Sequence, residues 1–281
     1  MKLIQAIELT KTYGKRNVVN RVNFEVHSGE IAGLLGQNGA GKSTAFSMII
    51  GLIKPNYGSV FFRGVDVTDL PIYQRARLGM GYLSQEPSVF QHLTVEDNIL
   101  AILETLKFNY RERIKKKNHL LGELGLTHLS KKKACILSGG ERRRLEIARA
   151  MSTSPSLILL DEPFSFIDPI AVAEIQDIVL GLKDKGIGIL LTDHNVREAL
   201  SITDHSYILN EGNIITSGTT QKLLHDPLAR KSYLGENFLS NDIRPPEPCR
   251  TYIENGEEEE KKEEGKKEKA GRRKKRSLNK S

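Results

Sequence analysis

Residues 31–43 read IAGLLGQNGAGKS, and this stretch decides the fold. It opens with five small or apolar residues, Ile31–Leu35, which predict a buried strand. Two glycines separated by four residues follow, then Lys42 and Ser43, and residues 42–50 have the pattern of a helix. In this arrangement, consecutive backbone N–H groups and the helix N-terminus point at one anion. The sequence therefore predicts a phosphate-binding loop between a strand and a helix.

The residue types in this loop predict that it binds a nucleotide and a metal ion. Lys42 is expected along the β- and γ-phosphates of ATP, and the hydroxyl of Ser43 on Mg²⁺. Gly39 and Gly41 let the backbone approach the phosphates, which a Cβ would obstruct. The predicted ATP contacts of the loop are Gly36, Gln37, Asn38, Gly39, Ala40, Gly41, Lys42, Ser43 and Thr44. Such a loop alone leaves kinases, GTPases, helicases and transport ATPases open.

Around this loop, short apolar runs alternate with helical segments. Residues 157–160 and 187–191 predict further buried strands, and residues 170–183 and 196–202 predict helices. This alternation is typical of an α/β core with a parallel sheet covered by helices on both faces. Residues 4–9, 18–26 and 59–62 have strand patterns without helices between them and predict an antiparallel sheet beside the core. A hairpin is expected over 207–215.

The rest of the chain divides into an insert and a tail. Residues 94–137 predict an almost entirely helical insert that begins with a capping pattern at Thr94. We expect one nucleotide-binding domain over 1–240 and a disordered, charged tail over 241–281. The tail holds 13 Lys and Arg and 10 Asp and Glu, so residues 1–240 carry only +4 of the total charge of +7.

The composition of the chain bears on its cellular location. No run approaches the roughly 18 apolar residues of a membrane helix, and residues 1–10 lack the apolar core of a signal peptide. We therefore expect a cytoplasmic protein. The two cysteines, Cys135 and Cys249, are far apart and indicate neither a disulfide framework nor a zinc site.

Two adjacent carboxylates follow the predicted strand at 157–160. Asp161 lies at the strand end, where it suits the binding of Mg²⁺, and Glu162 is placed to act as general base toward the attacking water. In isolation, such a pair could equally begin a solvated turn. Beside a phosphate-binding loop, it predicts the second half of an ATPase site.

The stretch Leu137-Ser138-Gly139-Gly140-Glu141 makes the prediction specific, since it resembles the signature motif of ATP-binding cassette (ABC) ATPases. The resemblance implies a P-loop NTPase fold of the ABC type, with a parallel-sheet core, an antiparallel β subdomain and a helical subdomain. Ser138, Gly139 and Gly140 would form an anion site at a helix N-terminus that closes on the γ-phosphate held by another subunit. Ser138 and Glu141 also fit an ordinary capping box, and both roles can hold.

Four single residues match the same family in order along the chain. Tyr13 resembles the aromatic residue that stacks on adenine, and Gln85 the Q-loop residue near Mg²⁺ and the water. Asp168 resembles the D-loop acid at the dimer seam, and His194 the switch histidine facing the γ-phosphate. The implied catalytic residues are Glu162, His194 and Gln85, and the implied metal ligands Ser43, Gln85 and Asp161. Phe166 departs from the family, which usually has a small residue there.

One phosphate-binding loop and one signature motif imply that two copies, or a partner cassette, complete each ATP site. Within the family, the chain looks closest to the ATPases of lipopolysaccharide transport, the LptB family, on residues 81–86, 137–150, 161–164, 192–198 and 233–238. This implies a homodimer beneath two transmembrane permease subunits, at the cytoplasmic face of the inner membrane. The permeases would dock in a groove over residues 85–95 near Phe90 and Leu93, although Phe90 also fits a core position.

Two alternatives remain at this point. ATPases of branched-chain amino-acid importers share several of these stretches. A different class of ABC proteins acts on nucleic acid, and the basic residues of the tail would suit it. A single cassette without a long coiled coil between Lys42 and Ser138 argues against a nucleic-acid partner.

Overall fold

The computed structural model describes residues 1–235 together with Phe238 and Ile243. Ten strands and nine helices are defined there. The strands are β1 Lys2–Tyr13, β2 Arg16–His27, β3 Ile31–Leu35, β4 Tyr57–Phe62, β5 Val65–Asp66, β6 Met80–Leu83, β7 Leu157–Asp161, β8 Gly188–Thr192, β9 His205–Asn210 and β10 Asn213–Gly218. The helices are α1 Lys42–Ile50, α2 Ile72–Leu78, α3 Val95–Leu103, α4 Tyr110–Glu123, α5 Gly139–Met151, α6 Pro169–Asp184, α7 Val196–Ile202, α8 Thr220–His225 and α9 Pro227–Ala229.

The larger sheet has six strands in the order β10-β9-β3-β8-β7-β6. Five of them are parallel, and β10 pairs antiparallel with β9 at the edge through the expected hairpin. All five residues of β3, β7 and β8 are buried. Because ligands of open parallel sheets bind at the carboxyl ends of the strands, the loops after β3, β6, β7 and β8 form the expected edge for a site.

The second sheet is antiparallel in the order β2-β1-β4-β5, as the strand patterns without intervening helices predict. The helix α1, which follows the glycine-rich loop, packs between the two sheets. Phe46 and Met48 of this helix are buried in one cluster with apolar side chains of β1, β2, β3 and β7. The predicted α/β core with an antiparallel subdomain is therefore confirmed.

Residues 94–137 contain less helix than the sequence predicts. Thr94 does cap α3, since its hydroxyl accepts a hydrogen bond from the Asp97 N–H at 3.1 Å. Between α3 and α4 the chain is irregular until Asn109, which begins α4 with a full capping box to Glu112. Gly125 takes a left-handed conformation just after α4, at φ 64°, which is typical of a residue that ends a helix. From there to residue 137, the helical residues are two 3₁₀ turns, Thr127–Leu129 and Ala134–Ile136.

Helix α2 has no counterpart in the sequence-based prediction, and it contains the most deeply buried charge of this region. Arg75 is 1% exposed and donates to the backbone carbonyls of Met48 at 2.8 Å, Leu70 at 2.8 Å and Thr68 at 2.9 Å. Burial lowers the pKa of Arg75 to about 10. The guanidinium thereby joins the last turn of α1, through the Met48 carbonyl, to residues 68–70, which precede α2.

The C-terminal part returns to the larger sheet. A π-helical turn, Arg230–Leu234, follows α9, and Leu234 and Phe238 pack against the cluster formed by the helices and the sheet. No helix in the part of the chain that the structure describes is long and apolar enough to cross a membrane. Apart from Ile243, the predicted tail over 241–281, including Cys249, lies outside the described residues.

Candidate active site

The glycine-rich loop joins β3 to α1 and is shaped by its glycines. Gly41, at the cap of α1, has φ 106°, and a Cβ there would lie 2.4 Å from the Val18 carbonyl oxygen. A Cβ at Gly36 would lie 2.1 Å from the carbonyl oxygen of Leu209. Both positions therefore require glycine because β2 and β9 run directly against the loop. Gln37, Asn38 and Gly39 are exposed at its tip.

Lys42 is held against the loop by main-chain oxygens. Its Nζ donates to the carbonyls of Gly36 at 2.7 Å and Gln37 at 3.0 Å, and the residue is 6% exposed. Burial lowers the pKa of Lys42, while the carboxylates of Glu162 and Asp193 act in the opposite direction. Ser43 lies exposed in the first turn of α1, with Thr44 partly buried behind it.

Asp161 ends β7 in a buried position beside the loop. Its Oδ1 accepts from the Thr192 hydroxyl at 2.8 Å, and the Tyr82 hydroxyl is 3.5 Å from Oδ2. Burial raises the pKa of Asp161, and the adjacent charge of Glu162 contributes in the same direction. A divalent cation would relieve this repulsion, so the pair of carboxylates fits a Mg²⁺ ion.

Glu162 is the point at which three loops meet. Its Oε2 accepts from the Gln85 amide at 2.8 Å and from the Ser165 hydroxyl at 3.0 Å, and lies 3.2 Å from His194 Nδ1. The backbone of Glu162 is left-handed at φ 46°, held by its N–H donating to the Thr192 carbonyl at 2.9 Å. The structure thus brings together the three residues that the sequence predicts to be catalytic.

Asp193 anchors the loop that carries His194. It is completely buried, and its carboxylate accepts from the backbone N–H groups of Asn195 at 2.7 Å and Phe164 at 3.3 Å. The Tyr233 hydroxyl donates to the Asp193 carbonyl at 3.1 Å. Burial raises the pKa of both Asp193 and Tyr233. His194 therefore projects from a loop that is tied to the loop after β7, through Phe164, and to the C-terminal segment, through Tyr233.

Ser138, Gly139 and Gly140 begin α5, as the sequence predicts. The Ser138 hydroxyl accepts from the Glu141 N–H at 3.2 Å, and Glu141 accepts from the Ser138 N–H at 2.8 Å. A Cβ on Gly140 would lie 2.6 Å from the Cβ of Ala171, so this glycine lets α5 and α6 touch. None of the hydrogen bonds among the described residues joins Ser138 to the glycine-rich loop of the same chain.

The two remaining predicted residues, Tyr13 and Asp168, make their contacts with other residues than Glu162. Tyr13 ends β1, about half exposed, with Lys11 Nζ 5.6 Å from its ring centroid. Asp168 caps α6 by accepting from the Ala171 N–H at 3.0 Å.

Comparison with known proteins agrees with this geometry. The sequence profile described as "ABC transporter" matches residues 19–165, which is more than half of the chain and includes the glycine-rich loop, the signature and both carboxylates. The chain belongs to the ABC transporter family. It is an ABC-type ATPase and binds nucleotide.

Two curated ABC transporter proteins show how far the similarity extends. The lipopolysaccharide export system ATP-binding protein LptB of Acidithiobacillus ferridurans is 52% identical over 237 residues, covering 84% of this chain and 98% of that protein. The LptB of Escherichia coli strain K12 is 45% identical over 239 residues, covering 85% and 99%. The chain therefore groups with the LptB proteins.

Solved ABC cassettes share the fold. One, an ATP-binding cassette of an ABC transporter in its ADP conformation, matches with a TM-score of 0.76 and 29% identity, over 84% of this chain and all of the other. A dimeric bacterial ABC transporter cassette matches with a TM-score of 0.70 and 25% identity, over 78% and 99%.

Sequence reasoning missed one residue that organises this ABC site. Arg143 of α5 is buried and donates to the backbone carbonyls of Ser84 at 3.0 Å and of both Asp161 and Glu162 at 3.2 Å. It also pairs with Glu146 at 2.9 Å. The only signal was its place in the run Arg142-Arg143-Arg144, which does not indicate which arginine points inward.

Proposed function

We propose that this protein is the ATP-hydrolysing subunit of a lipopolysaccharide export system. The observation that carries the proposal is the convergence of Gln85, Ser165 and His194 on the carboxylate of Glu162, beside the phosphate loop. The 52% and 45% identity to LptB proteins over nearly their whole length supports lipopolysaccharide as the substrate. ATPases of branched-chain amino-acid importers and nucleic-acid ABC proteins are not favoured by these relatives.

Each residue of the site has a role in this proposal. The loop from Gly36 to Thr44 binds the phosphates through backbone N–H groups, and Lys42 exchanges its bonds to loop carbonyls for phosphate oxygens. Ser43, Gln85 and Asp161 would hold Mg²⁺, which neutralises phosphate charge when bound. Glu162 accepts a proton from the attacking water, and His194 faces the γ-phosphate. Tyr13 stacks on the adenine ring.

Two copies of the chain form the working unit in this proposal. Ser138, Gly139 and Gly140 present the N-terminus of a 13-residue helix without contacting the phosphate loop of their own chain. Such a helix end attracts an anion. Each ATP would therefore lie between Lys42 of one copy and Ser138 of the other, with Asp168 at the seam.

Two transmembrane permease subunits of the Lpt type complete the machine and hold the protein at the cytoplasmic face of the inner membrane. We place their contact at a groove near Phe90 and Leu93, whose side chains are 48% and 39% exposed. Arg149 lies over the Phe90 ring at 4.6 Å from its centroid. The buried side chain of Asn98 bonds both the N–H and the carbonyl of Phe90, at 2.8 Å and 3.0 Å, which fixes the loop that presents this aromatic ring.

The catalytic part of the proposal is tested by Glu162→Gln. The amide retains the shape of the side chain but cannot accept a proton, so turnover should fall by at least about a hundredfold while ATP binding persists. ATPase rate and ATP binding are measured side by side, with the exposed Glu211→Gln as a matched control. Near-normal hydrolysis by Glu162→Gln would remove Glu162 as the base.

The transport part is tested in the cell. Depleting the protein should cause lipopolysaccharide to accumulate in the inner membrane, and purification from membranes should bring down two integral permeases. Normal lipopolysaccharide delivery after depletion would refute the substrate while leaving the ATPase assignment intact.

A further inference from the structure

Two neighbouring strands of the larger sheet each end in one polar residue. β7 reads Leu-Ile-Leu-Leu-Asp and β8 reads Gly-Ile-Leu-Leu-Thr, and all ten residues are buried. Asp161 and Thr192 are paired in the parallel register, so their side chains leave the sheet on the same face. Thr192 is completely buried. A buried hydroxyl is unfavourable unless it is hydrogen-bonded, so β8 ends in threonine only because this hydroxyl has a partner.

The partner of the Thr192 hydroxyl is the carboxylate of Asp161. Oγ1 lies 2.8 Å from Oδ1, and because an ionised carboxylate only accepts, the hydroxyl donates. The other hydroxyl near this carboxylate, that of Tyr82, is 3.5 Å from Oδ2, at the outer limit of a hydrogen bond. Among the described residues, the short side-chain bond to Asp161 is therefore the one from Thr192.

The main chain of Thr192 holds the second carboxylate of the site separately. Its carbonyl accepts from the Glu162 N–H at 2.9 Å, whereas its hydroxyl lies 3.4 Å from the same nitrogen. A change of the Thr192 side chain therefore removes the bond to Asp161 and leaves the main-chain bond to Glu162. The metal ligand can thus be perturbed apart from the general base.

We propose that Thr192 is a positioning residue for the metal: its hydroxyl fixes the rotation of the Asp161 carboxylate and thereby sets the affinity of the ATP site for Mg²⁺. This rests on the proposed function, in which Asp161 helps to hold Mg²⁺. The terminal torsion of an aspartate is broad, so a carboxylate without this bond would rotate more freely. Threonine suits the role because its β-branched side chain is restricted at χ1.

The test compares nucleotide binding with and without the metal. Binding of the non-hydrolysable analogue AMP-PNP to the full chain is measured by calorimetry, once with Mg²⁺ and once with EDTA. Thr192→Val has nearly the same shape but no hydroxyl. It should weaken binding about ten- to a hundredfold with Mg²⁺, the usual effect of removing a group that holds a metal ligand, and leave binding in EDTA unchanged. Thr192→Ser keeps the hydroxyl and should bind like the parent in both solutions.

Steady-state hydrolysis gives a second measurement. In Thr192→Val, the Mg²⁺ concentration at half-maximal ATPase rate should rise by the same factor as the dissociation constant. The maximal rate at saturating Mg²⁺ should fall by less, because Glu162 keeps its main-chain bond to residue 192.

Two further comparisons separate the hydroxyl from packing. Thr203→Val removes the hydroxyl of another buried threonine, which accepts from the Ser206 hydroxyl at 3.0 Å, and should leave both affinities unchanged. Thr192→Ala and Thr192→Ser differ from each other in the hydroxyl alone, so this pair gives the same comparison if Thr192→Val does not fold. Melting temperatures establish that each variant is folded at the temperature of the assay.

The failure of the proposed function and the failure of this inference give different results. If Mg²⁺ does not strengthen binding to the parent, the metal site of the proposed function fails, and the role of Thr192 with it. If the parent gains affinity from Mg²⁺ and Thr192→Val gains as much, only the role of Thr192 is refuted. Equal weakening in Mg²⁺ and EDTA, or a Thr192→Ser variant as weak as Thr192→Val, would also refute it, because packing rather than the hydroxyl would then cause the effect.

Discussion

Replacing Arg143 by methionine, alone and together with Glu146, tests whether this arginine stabilises the folded protein, positions the ABC site, or does both. The guanidinium is 7% exposed and makes five hydrogen bonds, four to backbone carbonyls and one to the Glu146 carboxylate at 2.9 Å. Those carbonyls belong to Ser84, just before Gln85, to Asp161 at the end of β7, and to Glu162 and Pro163 in the loop after it. One side chain therefore ties the signature helix to two of the three loops that meet at the Glu162 carboxylate.

The expected loss in the free energy of unfolding comes from Glu146, the carboxylate that Arg143 pairs with. Glu146 is 4% exposed, so Arg143→Met leaves a buried carboxylate without its cation, which costs about 3–5 kcal/mol. In the double variant Arg143→Met with Glu146→Met, the buried pair is replaced by apolar side chains of similar volume. Only the part of the loss that comes from the unpaired Glu146 charge should return, because the four carbonyls that Arg143 bonded and the Ser88 N–H, which donates to Glu146 at 3.1 Å, still lack their partners. ATPase activity should stay at least about tenfold low, since the carbonyls of Ser84 and Glu162 are no longer held.

The assay is urea denaturation of the three variants and the parent, with ATPase rates measured at a temperature where all are folded. Arg142→Met is the matched control, because Arg142 makes only a 3.2 Å bond to the Leu137 carbonyl and should cost less than about 1 kcal/mol. A double variant no more stable than Arg143→Met would refute the buried-pair argument. Full recovery of ATPase activity together with stability would refute the positioning role.

Two further predictions follow from the geometry. Burial raises the pKa of Asp161, so the charged carboxylate is less favourable in the folded protein than in the unfolded chain. Asp161→Asn should therefore raise the melting temperature of the nucleotide-free protein at neutral pH. The same variant should abolish magnesium-dependent hydrolysis. That gain in melting temperature should shrink as the pH falls from the raised pKa to below 3.8, the ordinary value, because the carboxyl group becomes neutral in both the folded and the unfolded chain. A gain that does not depend on pH, or a loss, would contradict burial of the Asp161 charge as its cause. Phe90→Ala should leave the melting temperature within about 2–4 °C of the parent but reduce co-purification of the membrane partners; undiminished co-purification would count against the groove.

The fold was predictable where local and long-range signals agree. The strand Ile31–Leu35 and the helix Lys42–Ile50 were predicted with their observed bounds, because a fully buried strand, a glycine-shaped loop and a helix follow one another without ambiguity. Residues 94–137 were overpredicted as helix, since lysine-rich segments have helical composition whether or not a tertiary partner orders them. Helix α2 was missed because its seven residues carry a charge, Arg75, at their most buried position.

Some residues of the candidate site could be predicted from the sequence, and others could not. Glu162, Gln85 and His194 stand in motifs whose spacing identifies them, and the structure brings their side chains to one carboxylate. Arg143 and Ser165 could not be found from the sequence, because their importance lies in which backbone carbonyl or carboxylate they reach. The carbonyls that Arg143 bonds are 18 to 59 residues away, and the carboxylate that Ser165 bonds is 3 residues away across a loop, so no helix or strand periodicity indicates these contacts.

The contacts of Glu162 also constrain how hydrolysis begins. Gln85, Ser165 and His194 all contact the same carboxylate oxygen, Oε2 of Glu162, so in the proposed mechanism Oε1 is the oxygen that takes the proton from water. Each partner stands on a different loop, after β6, after β7 and after β8, so the direction in which Oε1 points depends on three loops. Arg143 holds the first two of these loops by their carbonyls, and the buried Asp193 holds the third. In the proposed two-copy site, a second copy that closes on Ser138, at the start of the helix that carries Arg143, would reach the first two of these loops through Arg143 and so influence the direction of Oε1.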